Sequence, residues 1–130
     1  MSDRTRVLCV DDNQDSAVST AELLELSGFE TRAFHDGPAA LAAVAEFRPD
    51  VCVLDLTMPG MDGLELAGRI REVSGGVRLV ALTALWDVTT RHRTRNAGFD
   101  DHVVKPVSRD RLLEAVRGTR PASAPAGVGG

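Results

Sequence analysis

The stretch Val51-Cys52-Val53-Leu54-Asp55 decides how this chain folds. Its apolar residues follow one another without polar alternation, which is typical of a parallel strand covered on both faces. Short apolar or β-branched runs recur along the chain at residues 6–10, 30–34, 78–82 and 102–104. Segments of helical length separate these runs, and this alternation predicts an α/β fold with helices on both faces of a parallel sheet.

Most of the intervening segments carry helix start signals and an apolar face. These segments are residues 14–27, the stretch after Asp36-Gly37, the stretch from Asp62 with Glu65 as its capping partner, and the stretch after Ser108. The residues predicted to be buried on them are Ala17, Ala21, Leu24, Ala40, Val44, Phe47, Leu66, Ile70, Val73, Leu112, Leu113 and Val116.

The segment at residues 87–97 differs from the others. Only Val88 and Ala97 offer apolar anchors there, and the basic side chains are Arg91, His92, Arg93 and Arg95. A helix with so few anchors is held weakly, and weakly held elements are the ones that a fold can move. We therefore predict a loosely attached basic helix.

Length and composition exclude several classes of protein. The 130 residues, 43% hydrophobic and 26% charged, fit one globular domain, predicted at residues 1–119, with a disordered tail at 120–130. We expect no membrane span and no signal peptide, because every apolar run is short. The net charge of −4 argues against sequence-independent nucleic-acid binding. Cys9 and Cys52 lie in apolar runs, which predicts reduced core thiols and a cytoplasmic protein.

Polar residues follow the predicted strands at the point where each strand ends. They are Asp11, Asp12, Asp55, Thr83 and Lys105, the last being the only lysine in the chain. The carboxyl ends of parallel strands form the usual ligand site of an open sheet. Carboxylates crowded there need a cation, and Mg²⁺ prefers such oxygen ligands. The pattern therefore predicts phosphoryl transfer, with Asp55 as the best candidate nucleophile.

Four motifs in order resemble the receiver domain of two-component response regulators. They are VDDN at 10–13, LDLTMPGMDG at 54–63, LTAL at 82–85 and DDHVVKP at 100–106, and the resemblance covers residues 6–118. It implies a flavodoxin-like sheet in the order 2-1-3-4-5. The sequence style, including the histidine of DDHVVKP, is also similar to the receivers of hybrid histidine kinases.

The resemblance implies a role for each matching residue. Asp55 would be phosphorylated by a partner's phosphohistidine. Mg²⁺ would be held by Asp12, Asp55 and the Thr57 carbonyl, with Asp11 acting mainly through water. The phosphoryl oxygens would contact Lys105, Thr83 and the backbone N–H groups of Leu56 and Ala84. The peptide bond before Pro106 would be cis.

His102 and Trp86 depart from the family pattern or fall outside it. The family usually has Tyr or Phe where this chain has His102, so this imidazole either replaces the aromatic switch or packs neutrally. Trp86 either fills the contact between the fourth strand and fourth helix or joins a partner surface with Arg91, Arg93 and Arg95. Tryptophan and arginine often anchor interfaces, and a basic helix suits an acidic partner.

The resemblance predicts a phosphoacceptor rather than an enzyme, and the few residues after Val116 lead us to expect a stand-alone receiver with no fused output domain. Its partners would be a sensor histidine kinase or histidine phosphotransferase and an unknown downstream protein. A relay role, passing the phosphoryl group to a histidine, stays open. A phosphatase of the haloacid-dehalogenase type is disfavoured because Thr57 stands where it needs a second aspartate. A nucleotide-binding module is disfavoured because VDDNQD contains no glycine-rich loop.

Overall fold

The computed structural model describes residues 4–118, which form alternating strands and helices. The strands are β1 (Arg6–Val10), β2 (Glu30–Phe34), β3 (Val51–Asp55), β4 (Arg78–Thr83) and β5 (Asp101–Val104). The helices are α1 (Gln14–Leu26), α2 (Gly37–Phe47), α3 (Gly63–Val73), α4 (Val88–Asn96) and α5 (Arg109–Arg117). All neighbouring strands pair in parallel in the order β2-β1-β3-β4-β5, which confirms the predicted fold.

The central strand β3 is buried along its whole length, as its apolar run predicts. Successive side chains of a strand point to opposite faces of the sheet. Val51 and Val53 accordingly belong to the apolar cluster with α1 and α5, whereas Cys52 and Leu54 belong to the cluster with α2 and α3. Cys9 and Cys52 are both buried free thiols, in agreement with the prediction.

Side-chain caps set where the helices begin. The side chains of Asn13, Asp36, Asp62, Asp87 and Ser108 each accept a hydrogen bond from a backbone N–H three residues further on. Such a bond satisfies one of the amides that a helix start leaves without an intrahelical partner. The predicted helix starts are therefore confirmed, and Glu65 is the residue whose amide Asp62 caps.

The prediction that Val73 is buried and the prediction that Val88 anchors its helix are both wrong. Val73, the last residue of α3, is 56% exposed because it lies beyond the buried Ile70. Val88, in the first turn of α4, is 59% exposed, and the buried residue of this helix is Thr94. The Thr94 hydroxyl donates to the Thr90 carbonyl at 2.6 Å, so its polar atom is satisfied inside the helix.

The strand ends differ slightly from the predicted ones. Both β3 and β4 extend one residue further, so Asp55 and Thr83 are the last residues of their strands. Residues 120–130, predicted to be a disordered tail, lie outside the described residues. Among the helices of residues 4–118, none combines the length and apolar character that crossing a bilayer requires.

Candidate functional site

Three carboxylates meet at the carboxyl edge of the sheet. Asp11 and Asp12 follow β1, and Asp55 ends the adjacent strand β3. One carboxylate oxygen of each lies within 4.8 Å of those of the other two. Asp11 and Asp55 are only 2% and 5% exposed, whereas Asp12 is exposed to solvent. The strand order thus brings together the acids that the sequence placed at two separate strand ends.

Lys105 bridges two of these acids. Its Nζ donates a hydrogen bond to Asp11 Oδ2 at 3.1 Å and lies 3.7 Å from Asp55 Oδ2. Its backbone N–H donates to the Thr83 carbonyl at 2.9 Å, and the peptide bond to Pro106 is cis, as expected. The side chain is 29% exposed, so an ammonium that compensates the buried carboxylates remains accessible to solvent.

Burial and crowding change the acidity of Asp55. Burial raises the pKa of its carboxyl group from 3.8 to about 7, and the neighbouring Asp11 carboxylate also raises it. The Thr57 backbone N–H, which donates to Asp55 Oδ1 at 3.2 Å, and the Lys105 ammonium lower this pKa. Burial outweighs these two donors, so Asp55 ionises less readily than an ordinary carboxyl group.

The loop after Asp55 is held by backbone contacts. The Leu56 N–H donates to the Leu82 carbonyl at 2.9 Å, so in this structure it forms a hydrogen bond to β4. Its predicted contact with a phosphoryl oxygen stays a prediction. The Gly63 N–H donates to the Leu56 carbonyl at 3.2 Å. A Cβ on Gly63 would lie 2.8 Å from the Leu56 Cα and would also overlap the Asp55 carbonyl oxygen. Gly63 is therefore a site-shaping residue that sequence analysis missed, although it closes the PGMDG motif.

Thr83 is buried at the end of β4, beside Val104 of β5. Its hydroxyl donates to the Leu85 carbonyl at 2.9 Å and accepts from the Leu85 N–H at 3.0 Å. The adjacent Ala84 is exposed. The Thr83 hydroxyl is thus bound to its own loop, and its release would be coupled to movement of Leu85.

The structure divides the predicted partner surface into two parts. The Trp86 and His102 rings stack with centroids 3.8 Å apart and planes 12° apart. Arg91 and Arg95 line the same groove as this stack. Arg93 instead lines a different groove, together with Thr57 and Thr83. The prediction of a single surface for all three arginines did not include the orientation of the helix faces, which depends on tertiary packing.

A buried ion pair lies next to His102 and was not predicted. The Asp101 side chain is fully buried, and its Oδ1 accepts from Arg111 Nη2 at 2.7 Å. The same Arg111 nitrogen donates to the His102 carbonyl at 2.7 Å. No sequence signal distinguished Asp101 from the other acids, because its partner is ten residues away on α5.

The three-carboxylate cluster suits a hard divalent cation. Each aspartate offers an oxygen, and Mg²⁺ is bound in proteins by one or two carboxylates together with retained water. Such an ion also offsets the repulsion that raises the Asp55 pKa.

Comparisons with known proteins agree with this geometry. Residues 7–117 match the family described as response regulator receiver domain. Over 114 residues the chain is 40% identical to the DNA-binding response regulator MtrA of Mycolicibacterium smegmatis, covering 88% of this chain and 50% of MtrA. The chain spans about half the length of the curated relatives it matches.

Two solved structures extend the comparison to the fold. The chemotaxis protein CheY4 of Vibrio cholerae superposes with a TM-score of 0.85 at 27% identity, covering 90% of this chain and 99% of that chain. A CheY-like receiver domain protein from Methanospirillum hungatei JF-1 gives a TM-score of 0.83 at 27% identity, covering 89% of this chain and 93% of that chain.

Proposed function

The chain belongs to the family of response regulator receiver domains, and we propose that Asp55 is the phosphoryl acceptor of a protein–protein switch. Receiver domains are phosphoacceptors rather than enzymes in the usual sense. The observation that carries the proposal is the buried Asp55 carboxylate, 3.7 Å from the Lys105 ammonium and clustered with two further carboxylates. This arrangement places a nucleophilic oxygen beside the positive charge that a phosphoryl group needs.

The proposed reaction transfers a phosphoryl group from a phosphohistidine. An Asp55 oxygen attacks phosphorus, a P–O bond forms, and the P–N bond breaks with its electron pair left on the imidazole nitrogen of the partner. Lys105 balances negative charge on the transferred oxygens from its position between Asp11 and Asp55. The donor is a sensor histidine kinase or a histidine phosphotransferase, the class of partner with which response regulators interact.

A magnesium ion would be held by Asp12, Asp55 and the Thr57 carbonyl, with Asp11 acting mainly through water. When bound, it supplies positive charge that lets the carboxylates ionise together and neutralises phosphoryl oxygens. The support for this assignment is the proximity of the three acids and their hard oxygen donors.

Contacts on the β4 side would detect the phosphoryl group. The Thr83 hydroxyl would exchange a bond to Leu85 for one to a phosphoryl oxygen, assisted by the N–H groups of Leu56 and Ala84. Movement of the Thr83–Leu85 loop would reach Trp86, the next residue, and its stacking partner His102. In this proposal His102 takes the place of the family's usual aromatic ring.

The output surface of the proposed switch comprises Trp86, Arg91 and Arg95. A half-buried aromatic ring beside two arginines is a composition that protein interfaces favour. Its positive charge suits an acidic downstream protein. We propose a cytoplasmic location, which the two reduced core thiols support.

Labelling with a small acyl-phosphate donor tests the acceptor. The Asp55→Asn variant should take up no label while remaining folded by circular dichroism. Asp50→Asn is the matched control, because Asp50 precedes the same strand at the opposite edge of the sheet. Full labelling of Asp55→Asn would reject the assignment of the acceptor.

A second variant tests the ammonium. In Lys105→Arg the charge is kept, but the planar guanidinium cannot occupy the point between Asp11 and Asp55 as a compact ammonium does. Labelling should slow, by up to the roughly 10²-fold that loss of one donor to a developing negative charge costs. A normal rate in Lys105→Arg would show that Lys105 has no part in the transfer.

Capture experiments separate a switch from a relay. The chain is immobilised with and without beryllofluoride, which mimics the phosphoryl group on Asp55. A protein retained only with beryllofluoride, and lost on Trp86→Ala substitution, supports the switch. A histidine phosphotransferase that binds equally in both states, and accepts label from the chain, supports the relay instead.

A further inference from the structure

Two grooves lie at the carboxyl edge of the sheet, and each is lined by a different cation. One groove is lined by Asp11, Lys105 and Pro106, among others. The other, with a volume of about 280 Å³, separates the loop after Asp55 from the loop after Thr83. Its lining includes Thr57, Asp62, Thr83, Thr90 and Arg93. The phosphoryl transfer proposed for Asp55 uses only Lys105, the cation of the first groove.

The position of Arg93 follows from the geometry of α4. Residues three apart lie on the same face of a helix, and Thr90 and Arg93 both line this second groove. Arg91 and Arg95 are related by four residues and line the groove with Trp86. The helix therefore turns one arginine towards the phosphoryl site and two towards the proposed partner surface.

Within residues 4–118, the Arg93 guanidinium has no carboxylate within the 4.0 Å of an ion pair. The acid that shares its groove, Asp62, already uses an oxygen to cap α3 by accepting from the Glu65 N–H at 2.9 Å. Arg93 is therefore a positive charge in this groove that forms no ion pair with any residue that the structure describes.

Charge balance at the site provides a role for this arginine. Three ionised carboxylates, the Lys105 ammonium and a divalent ion together have no net formal charge. Phosphorylation replaces one carboxylate charge by an acyl phosphate with about two negative charges at neutral pH. The phosphorylated site therefore has excess negative charge, which Lys105 and the divalent ion do not offset.

We propose that Arg93 is a second cation for the phosphoryl group on Asp55, and that this attraction draws α4 towards the site. The inference rests on the proposed function. The helix is suited to such movement because Thr94 is its buried residue and it joins neither apolar cluster. Attraction to Arg93 would thus convert a change of charge at Asp55 into a shift of the helix that presents Arg91 and Arg95.

The test measures beryllofluoride affinity and phosphoryl lifetime in three variants. Arg93→Gln removes the charge, and Arg93→Lys keeps it. Arg48→Gln removes an equal charge from the exposed end of α2, outside both grooves. Beryllofluoride with Mg²⁺ is titrated by amide NMR, and loss of label from Asp55 is followed after the donor is removed.

Arg93→Gln should weaken beryllofluoride affinity about threefold, as expected for one solvent-accessible ion pair. Arg93→Lys should retain most of the affinity, and Arg48→Gln should match the wild type. Added salt should reduce the difference between wild type and Arg93→Gln, because exposed charges are screened. A purely structural role for Arg93 would not give this salt dependence.

The experiment distinguishes failure of the role of Arg93 from failure of the proposed function. Equal affinity and lifetime in Arg93→Gln and wild type, or an equal loss in Arg48→Gln, would overturn the role of Arg93 and leave Asp55 as the acceptor. A wild type that binds no beryllofluoride and takes up no label would instead overturn the proposed function, and the role of Arg93 with it.

Discussion

The indole of Trp86 stacks on the imidazole of His102, with 3.8 Å between ring centroids and 12° between ring planes. This contact joins the loop after β4 to the edge strand β5. The loop residue Leu85 is bound through its backbone to the Thr83 hydroxyl. A continuous path of contacts therefore leads from the carboxyl edge of the sheet to the groove containing Arg91 and Arg95.

Trp86 fluorescence should report beryllofluoride binding, since Trp86 is the only tryptophan and directly follows the Thr83–Leu85 loop. In His102→Ala this spectral response should be strongly reduced, because the stacking partner is removed, while labelling of Asp55 continues. His92→Ala is the control, because His92 is exposed on α4 and lies outside the groove that contains the stack. An unchanged spectral response in His102→Ala would show that the stack does not transmit the state of Asp55.

The free energy of unfolding should depend on pH through Asp55. The folded carboxyl group keeps its proton up to about pH 7, whereas an ordinary carboxyl group loses it near 3.8. Between these values the folded state binds more protons, so stability falls as the pH rises towards 7, by at most about 1.4 kcal/mol per pH unit.

Urea unfolding of wild type and Asp55→Asn between pH 4 and 8 measures this effect. The free energy of unfolding of Asp55→Asn relative to that of the wild type should rise with pH. Mg²⁺ should remove this pH dependence by stabilising the ionised cluster. A difference that is constant with pH would contradict the raised pKa of Asp55.

Two glycines of α3 should respond in opposite ways to alanine. In Gly63→Ala the new methyl group meets the backbone of Asp55 and Leu56, which cannot move cheaply, so we expect a loss of about 1–3 kcal/mol and slower labelling. In Gly68→Ala the methyl group enters open space and should stabilise the helix by up to about 1 kcal/mol. Thermal unfolding of both variants decides the comparison, and equal effects would contradict the close approach at Gly63.

The buried Asp101–Arg111 pair should matter more than an exposed pair of similar length. Arg111→Met leaves the fully buried Asp101 carboxylate without its 2.7 Å partner and should cost about 3 kcal/mol. Arg69→Met breaks the exposed 3.2 Å pair with Glu65 and should cost less than about 1 kcal/mol. Urea unfolding measures both, and a small loss in Arg111→Met would show that Arg78, 3.5 Å from Asp101, suffices to compensate it.

The sequence by itself determined the elements of this protein and the chemistry available to its site. Apolar runs such as Val51–Asp55 form strands, and caps such as Asp62 begin helices, through contacts between residues close along the chain. The positions of Asp55 and Lys105 at strand ends could be predicted because strand ends also depend on residues close along the chain. The order of the strands came from a family resemblance rather than from these local signals.

The tertiary structure alone decided which side chains meet. Val73 and Val88 are apolar yet exposed, and Thr94 is polar yet buried, because burial depends on the surface that each helix face meets. The Asp101–Arg111 pair and the separation of Arg93 from Arg91 likewise depend on the packing of distant segments. Local periodicity limits which residues share a face, but only the packed chain determines what that face contacts.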